Sequence, residues 1–235
     1  MRGATVTDPK PLSAPTEGIY VQVVENGPYR VLGATSGAVV EIVGNAAGES
    51  WDYATRDAIA LRDGSELCRC GHSQSKPLCD NSHKHVDVDV TETATAAPYR
   101  DQAEANGGPD ATLYDNSSLC AHARFCDAGL EAWGEVEIAG AEHVAAAARM
   151  VARCPGGRLT LIDNESGRDL DEPEEQSISF IEDPMIGAPG PIMLRGGITV
   201  IGANGDAYEV RNRQALCRCG RSSNKPFCDG SHDPR

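Results

Sequence analysis

The sequence predicts an α+β protein: two small β-rich units at its two ends, each closing on the same cysteine–histidine motif, with an α/β segment inserted between them. Three observations carry this expectation. The pattern Cys-x-Cys-x8-Cys-x3-His occurs at Cys68–His83 and again at Cys217–His232, with every corresponding position offset by 149. Short β-type runs broken by turn residues precede each copy. The clearest helical pattern of the chain lies between the copies. The expected divisions are residues 17–90, 110–184 and 188–235.

Composition limits the alternatives. With 25 Gly and 14 Pro in 235 residues and only 5% aromatics, elements are expected to be short and a single large apolar core is not expected. Thin-cored units of this size usually need a staple such as a metal. Nine cysteines, an odd number, and no apolar run near Met1–Pro9 argue against a disulfide framework and for reduced thiols in a cytoplasmic setting. No run approaches the roughly 20 apolar residues of a membrane span. A formal charge of −14 opposes nucleic-acid binding. Arg69, Lys76, Arg218, Arg221 and Lys225 sit inside the motifs against that background, as solubilising charges or as counter-charge to an anionic metal centre.

Taken in order, residues up to about Thr16 read as a loose arm. Gly18–Val24 reads as a strand, Asn26-Gly27-Pro28 as a turn, and Tyr29–Leu32 as the returning strand. Val39–Val43, Trp51–Tyr53 and Ala58–Leu61 are further strand-like runs before the first motif. After His83, the alternation through Val86, Val88 and Val90 allows either an edge strand or a solvated connector, and Ala94–Pro109 reads as linker. In the middle segment Ala141–Arg153 is the helix. Val144, Ala147, Ala148 and Val151 share one face, with Glu142 at its start and Arg149 and Arg153 at its end, as the macrodipole favours. Leu159–Asp163 and Ile178–Ile181 are short strands. Gly190–Leu194 reads as a strand, Arg195-Gly196-Gly197 as a turn and Ile198–Gly202 as the partner strand, and Tyr208–Val210 then leads to the second motif.

Three thiolates and an imidazole can hold zinc or an iron–sulfur cluster. Structural zinc knuckles usually use Cys-x2-4-Cys, whereas alternate residues in Cys-x-Cys splay, which suits two ligands on one iron of a two-iron cluster. The third cysteine and the histidine can then share the second iron. Pro77 and Pro226 fix the backbone before the third cysteine. Asp80 and Asp229 can cap the turn carrying the histidine, and Gly230 and Asn81 suit a left-handed position. His72, His85, His122 and His143 receive no ligand role in these motifs.

Both stretches resemble the CDGSH iron–sulfur domain family, whose pattern is Cys-x-Cys-x2-Ser/Thr-x3-Pro-x-Cys-Asp-Gly-Ser/Ala/Thr-His. The second copy matches at Cys217, Cys219, Ser222, Pro226, Cys228, Asp229, Gly230, Ser231 and His232. The first matches at Cys68, Cys70, Ser73, Pro77, Cys79, Asp80, Ser82 and His83 and departs at Asn81. The resemblance implies one [2Fe-2S] cluster per motif, bound by Cys68, Cys70, Cys79 and His83 and by Cys217, Cys219, Cys228 and His232. It also implies that the two copies form an internal pseudo-dimer, so that the chain is a monomer. Such a site carries a net charge of −1 when oxidised, and replacing a thiolate by imidazole makes it easier to reduce and open to loss by protonation.

The middle segment holds Cys120, Cys126 and the pair Cys154-Pro155. It resembles the divergent single-cluster ferredoxin family, with Ala123 at the second cysteine of the Cys-x2-Cys-x2-Cys run. The resemblance implies a third centre on Cys120, Cys126 and Cys154, either [3Fe-4S] or, with His122 or water as fourth ligand, [4Fe-4S]. A ferredoxin-like fold without a cluster is the alternative.

No phosphate loop, dinucleotide fingerprint or nucleophile–base pair stands out, so the chain is expected not to be an enzyme. The leading expectation is a [2Fe-2S] electron carrier acting between redox protein partners, with neither nucleic acid nor membrane involved. A donor of clusters to apo-iron–sulfur proteins, or a redox or iron sensor, is the second expectation, and a structural zinc module the third.

Overall fold

The computed structural model describes residues 18–34 and 36–235, so the arm expected up to Thr16 lies outside the described residues. Its N-terminal strands are β1 (Tyr20–Val23), β2 (Tyr29–Leu32), β3 (Ser36–Gly44), β4 (Ser50–Ala60) and β5 (Ser65–Leu67). The middle adds α1 (Tyr99–Gln102), β6 (Glu104–Gly107), β7 (Ala111–Asp115), α2 (Glu131–Val136), α3 (Ala141–Arg153) and β8 (Leu159–Asp163). Strands β9 (Ser177–Asp183), β10 (Ala188–Arg195), β11 (Thr199–Ile201) and β12 (Arg213–Leu216) complete the chain.

Two sheets share one plan. In the first, β1, β2 and β5 run antiparallel, and β11 joins the β1 edge in parallel. In the second, β9, β10 and β12 run antiparallel, and β3 joins the β9 edge in parallel, with β4 outside it. Thus β3, which follows β2, crosses to the sheet of the C-terminal half, and β11, which follows β10, crosses to the sheet of the N-terminal half. The largest apolar cluster accordingly draws on both halves: Val21, Val23, Tyr29, Val31 and Leu67 pack with Ile178, Phe180, Ile192, Leu194, Val200 and Leu216. The core is shared rather than divided between two small units. Its apolar residues lie on alternate positions of short strands, each too short to bury a face without the other half.

The two halves also meet backbone to backbone at the motifs. Cys70 and Cys219 form an antiparallel bridge. The glycine after each has positive φ, +81° at Gly71 and +79° at Gly220. A Cβ on Gly71 would come within 2.5 Å of the Cys219 carbonyl oxygen, and one on Gly220 within 2.6 Å of the Cys70 carbonyl oxygen. Gly220→Ala is therefore expected to lower unfolding stability by about 2–4 kcal/mol, from left-handed strain plus a backbone clash that cannot rotate away. Urea unfolding followed by circular dichroism measures this, and an unchanged midpoint would contradict the contact.

The middle segment forms its own layer pair. Strands β6, β7 and β8 make an antiparallel sheet, and α2 and α3 cover it through Ala132, Val136, Ala147, Met150 and Val151 against Leu113, Leu159 and Leu161. Helix α3 has the bounds and apolar face that the periodicity predicts, with Met150 added to the face.

Several expectations are corrected. The linker expected at Ala94–Pro109 contains α1 and the edge strand β6, whose four residues are all exposed and so lack an apolar signature. Trp51–Tyr53 and Ala58–Leu61 are one strand, β4, carried through a polar stretch by pairing with β3, with a bulge at Arg56 and an Arg56–Glu41 ion pair. Ile178–Ile181, counted with the middle segment by sequence, lies in β9 between β3 and β10. Ile198–Gly202, expected to pair with Gly190–Leu194, does not: β11 joins β1, and β10 lies between β9 and β12. The strand entering the second motif is β12, buried at all four positions although it begins Arg213-Gln214.

Candidate metal centres

Each motif is a hairpin continued from a strand, and the two are built alike. At the end of β5, the Cys68 N–H donates to the Pro77 carbonyl (2.9 Å) and the Cys79 N–H to the Glu66 carbonyl (2.8 Å). At the end of β12, Cys217 and Cys228 repeat this with Pro226 and Ala215, both at 2.8 Å. The Ser73 hydroxyl donates to the Leu78 carbonyl (2.6 Å) and that of Ser222 to the Phe227 carbonyl (2.7 Å). Asp80 accepts from the Gln74 and Ser82 N–H groups at 2.7 and 2.9 Å, and Asp229 from those of Ser223 and Ser231 at 2.7 and 3.0 Å. These aspartates tie the turn before each histidine, as expected from their position. Asn81 (φ +67°) and Gly230 (φ +87°) hold the left-handed position that the sequence assigns them.

The donor atoms fall into pairs. Cys68 Sγ and Cys70 Sγ are 3.7 Å apart, and Cys79 Sγ lies 3.5 Å from His83 Nδ1. In the second motif the Cys217–Cys219 and Cys228–His232 Nδ1 separations are 3.8 and 3.4 Å. Two sulfurs about 2.3 Å from one tetrahedral ion lie about 3.8 Å apart, and a sulfur and a nitrogen at about 2.0 Å lie about 3.5 Å apart. Each pair therefore has the spacing of two ligands on one tetrahedral ion, so each motif offers two such positions. Among the described residues, no three His, Cys, Asp or Glu side chains gather around a single ion position. The donor chemistry and spacing fit a two-metal cluster in each motif.

Backbone N–H groups point at the sulfurs: His72 to Cys70 (3.4 Å), Asn81 to Cys79 (3.4 Å), Arg221 to Cys219 (3.5 Å) and Gly230 to Cys228 (3.5 Å). Burial pushes the thiols of Cys70, Cys79 and Cys228 up. Cys219 is lowered to about 6, first by the hydrogen bond with Cys217 and then by the Arg221 N–H and charge. Buried thiols of this kind become thiolates when a cation replaces their protons. Of the basic residues singled out in the sequence, Arg69 and Arg218 are buried. Arg69 donates to the carbonyls of Gly27 (2.6 Å) and Val24 (3.2 Å), whereas Arg218 reaches Glu182 (2.8 Å). They anchor the motifs to the sheets rather than solubilise the surface.

The two sites differ in exposure. Cys217, Cys228 and His232 are buried, whereas Cys79 and His83 are half-buried and Leu78 is exposed. The shielding of the second site comes from the middle segment. The His122 ring packs on Gly230, where a Cβ would meet it at 2.4 Å, and its Nδ1 stands 3.6 Å from Asp233. Ala121, Ala215 and Cys228 pack together beside it.

Cys120, Cys126 and Cys154 line one small pocket together with His122 and Arg158. The loop between the first two is left-handed at both His122 (φ +49°) and Arg124 (φ +62°). Arg158 holds Asp115 through two bonds (2.6 and 2.7 Å) and donates to Cys120 Sγ (3.3 Å), while the Cys126 thiol donates to Asp127 (3.1 Å). The sequence reading brings the three cysteines together but gives no role to Arg158 or Arg124. The Arg124–Asp183 pair, at 2.7 Å, fastens this loop to the end of β9. Of the remaining histidines, His143 pairs with Glu135 at 2.7 Å, and His72 and His85 are exposed.

Comparison with known families finds matches at three regions of the chain. Residues 26–84 and 189–233 match the family model described as an iron-binding zinc finger of CDGSH type. Residues 107–164 match the model described as a divergent 4Fe-4S mono-cluster. No curated protein and no solved structure matches the chain.

Proposed function

We propose that this chain, which carries two CDGSH-type iron-binding regions around a divergent 4Fe-4S mono-cluster region, is a one-electron carrier acting between protein partners rather than an enzyme. In this reading Cys68, Cys70, Cys79 and His83 hold one [2Fe-2S] cluster and Cys217, Cys219, Cys228 and His232 a second, within an internal pseudo-dimer. The observation that carries it is the repeated pairing of donors at 3.4–3.8 Å, two pairs per motif. That spacing favours two irons over a single zinc.

When bound, a two-iron, two-sulfide cluster supplies one-electron redox chemistry. The protein's residues set its conditions. Three thiolates and one neutral imidazole leave the site one charge less negative than four thiolates would, which favours reduction. The four N–H groups aimed at Cys70, Cys79, Cys219 and Cys228 further stabilise the added electron. The interlocked sheets hold both donor sets rigid, so little reorganisation is needed. No helix among the described residues is long and apolar enough to cross a membrane.

The test is an anaerobic count of iron, acid-labile sulfide and zinc. The motifs are expected to contribute four irons and four sulfides per chain, and stoichiometric zinc without sulfide would overturn the reading. A second reading, delivery of a cluster to an apo-protein, is favoured by the half-buried Cys79 and His83 beside exposed Leu78. Incubation with an apo-ferredoxin separates the two. A donor loses iron to the acceptor in step with the acceptor's gain, whereas a carrier keeps it.

A further inference from the structure

The 149-residue offset maps one face of the paired motifs onto another, and the chain treats the two faces differently. The first face is a cleft whose walls include Lys76, Arg218, Cys219, Arg221 and His232. No carboxylate lines it, in a chain of net charge −14. Arg218 is paired with Glu182. Lys76 is exposed, and among the described residues its amine has no hydrogen-bond or ion-pair partner. Arg221 is also exposed; it donates to the carbonyls of Ser231 (3.0 Å) and His232 (3.1 Å), its charge acts on the Cys219 thiol, and among the described residues it pairs with no carboxylate.

The offset carries Lys76, Arg218, Cys219 and His232 onto Lys225, Arg69, Cys70 and His83. That second face is covered by the chain's own connector. Val90 is buried against Cys68 and Cys70, with Val88 beside it. The N–H groups of Thr93 and Ala94 both donate to the Lys225 carbonyl at 2.8 Å, and the Thr93 hydroxyl donates to the Ser223 carbonyl at 2.7 Å. The connector from Val86 to Thr95 has no regular secondary structure and is alternating and acidic, with Asp87, Asp89 and Glu92. The carboxylate of Asp89 is held below the usual range first by Thr91, with Lys225 and Arg69 adding. The molecule thus covers one motif face with an acidic segment, held there by backbone hydrogen bonds and buried valines, and leaves the related face open.

We propose that the open cleft docks an acidic segment of a partner protein, which takes over Lys76 and Arg221 the position that residues 86–95 take on the related face. Its floor contains Cys219 and His232, so a partner seated there stands directly against the second site. This gives the partner of the carrier reading a chemistry, and rests on that reading for its purpose.

The probe is a fluorescein-labelled peptide with the sequence of residues 86–95, titrated with the full chain and followed by fluorescence anisotropy at low and at physiological salt. Iron and sulfide are counted on the same sample, so absent clusters overturn the carrier reading and absent binding overturns the docking proposal separately. The expected result is saturable binding that weakens with salt. Lys76→Glu and Arg221→Glu are each expected to weaken it by about tenfold or more, as does replacing the peptide's three acids by their amides. Arg221→Lys keeps the charge and retains most of the affinity, which separates charge recognition from a damaged turn. Equal binding by the wild type and the Lys76→Glu/Arg221→Glu pair overturns the proposal. So does tight binding of inorganic phosphate or pyrophosphate with none of the peptide, which would make the cleft a small-anion site.

Discussion

Acidification is expected to strip the N-terminal site before the C-terminal one. A nitrogen that binds metal must be unprotonated, so proton and metal compete for each Nδ1. Burial lowers the pKa of both imidazoles, but unequally. His232, 5% exposed, is brought to about 4, first by desolvation and then by the nearby His122. His83, half-buried, is lowered by desolvation and by Lys84, while Glu66 and Asp80 work in the opposite direction. The sign follows. Both pKa values lie below that of a free imidazole, so nothing is lost at neutral pH. The proton claims His83 first as pH falls below the ordinary imidazole range near 6.5, and His232 only towards pH 4. Each unit between the two pKa values is about a tenfold difference in protonated fraction at a pH between them. Visible absorbance should therefore bleach in two steps. His83→Cys is expected to remove the step at higher pH and His232→Cys the one at lower pH, since thiolate binds without an imidazole to protonate. One step left unmoved by His83→Cys would mean that His83 is not a ligand.

This asymmetry is invisible in the motifs, which differ at a single fixed position. It comes from what the fold lays over each: the middle-segment loop at His122 over Gly230 and His232, and the acidic connector over Cys68 and Cys70. What the sequence makes legible is local. The donor set, the left-handed Asn81 and Gly230, the aspartate-tied turns, Tyr29–Leu32 and α3 all follow from spacing and residue type within one element. What stays hidden depends on distant partners. Strand β12 opens with Arg213 and Gln214, which look like loop residues. They are buried because Arg213 finds Asp171 and the Cys154 carbonyl, and Gln214 finds the Ile198 carbonyl. The exchange of β3 and β11 between sheets is hidden for the same reason, since strand pairing depends on which edge is free and not on the strand's own alternation. Val86–Val90 alternates like a strand, yet its apolar side lies on Cys68 and Cys70 rather than in a sheet.

Loading of the middle segment is expected to raise the iron content above the four contributed by the motifs and to add an EPR signal in the oxidised protein. Cys120, Cys126 and Cys154 line one cavity, and in a three-cysteine centre they would bring all nine cysteines of the chain into metal sites. Ala123 stands where a ferredoxin run has its second cysteine, so the fourth position falls to His122, to water or to nothing. His122 lines the cavity, but its Nδ1 faces Asp233 and its ring lies on Gly230. Its present contacts thus belong to the second motif, which favours a three-iron centre, paramagnetic when oxidised, over a histidine-completed four-iron one. Arg158 adds a positive charge at Cys120, held in place by Asp115, where an anionic centre would need it. Cys120→Ala and Cys154→Ala are each expected to abolish the oxidised signal and return the iron count to four, while His122→Ala leaves both the signal and the count in place. If His122→Ala instead removes the signal or the iron, the ring turns from Asp233 to the metal and the four-iron form is correct. If the oxidised protein is EPR-silent and neither cysteine variant changes its iron, the segment has kept its three-stranded sheet, two helices and cysteine-lined cavity without a cofactor. Burial holds the Cys126 thiol well above its ordinary range, with Asp127 adding, so in that case Cys126 remains protonated and inert.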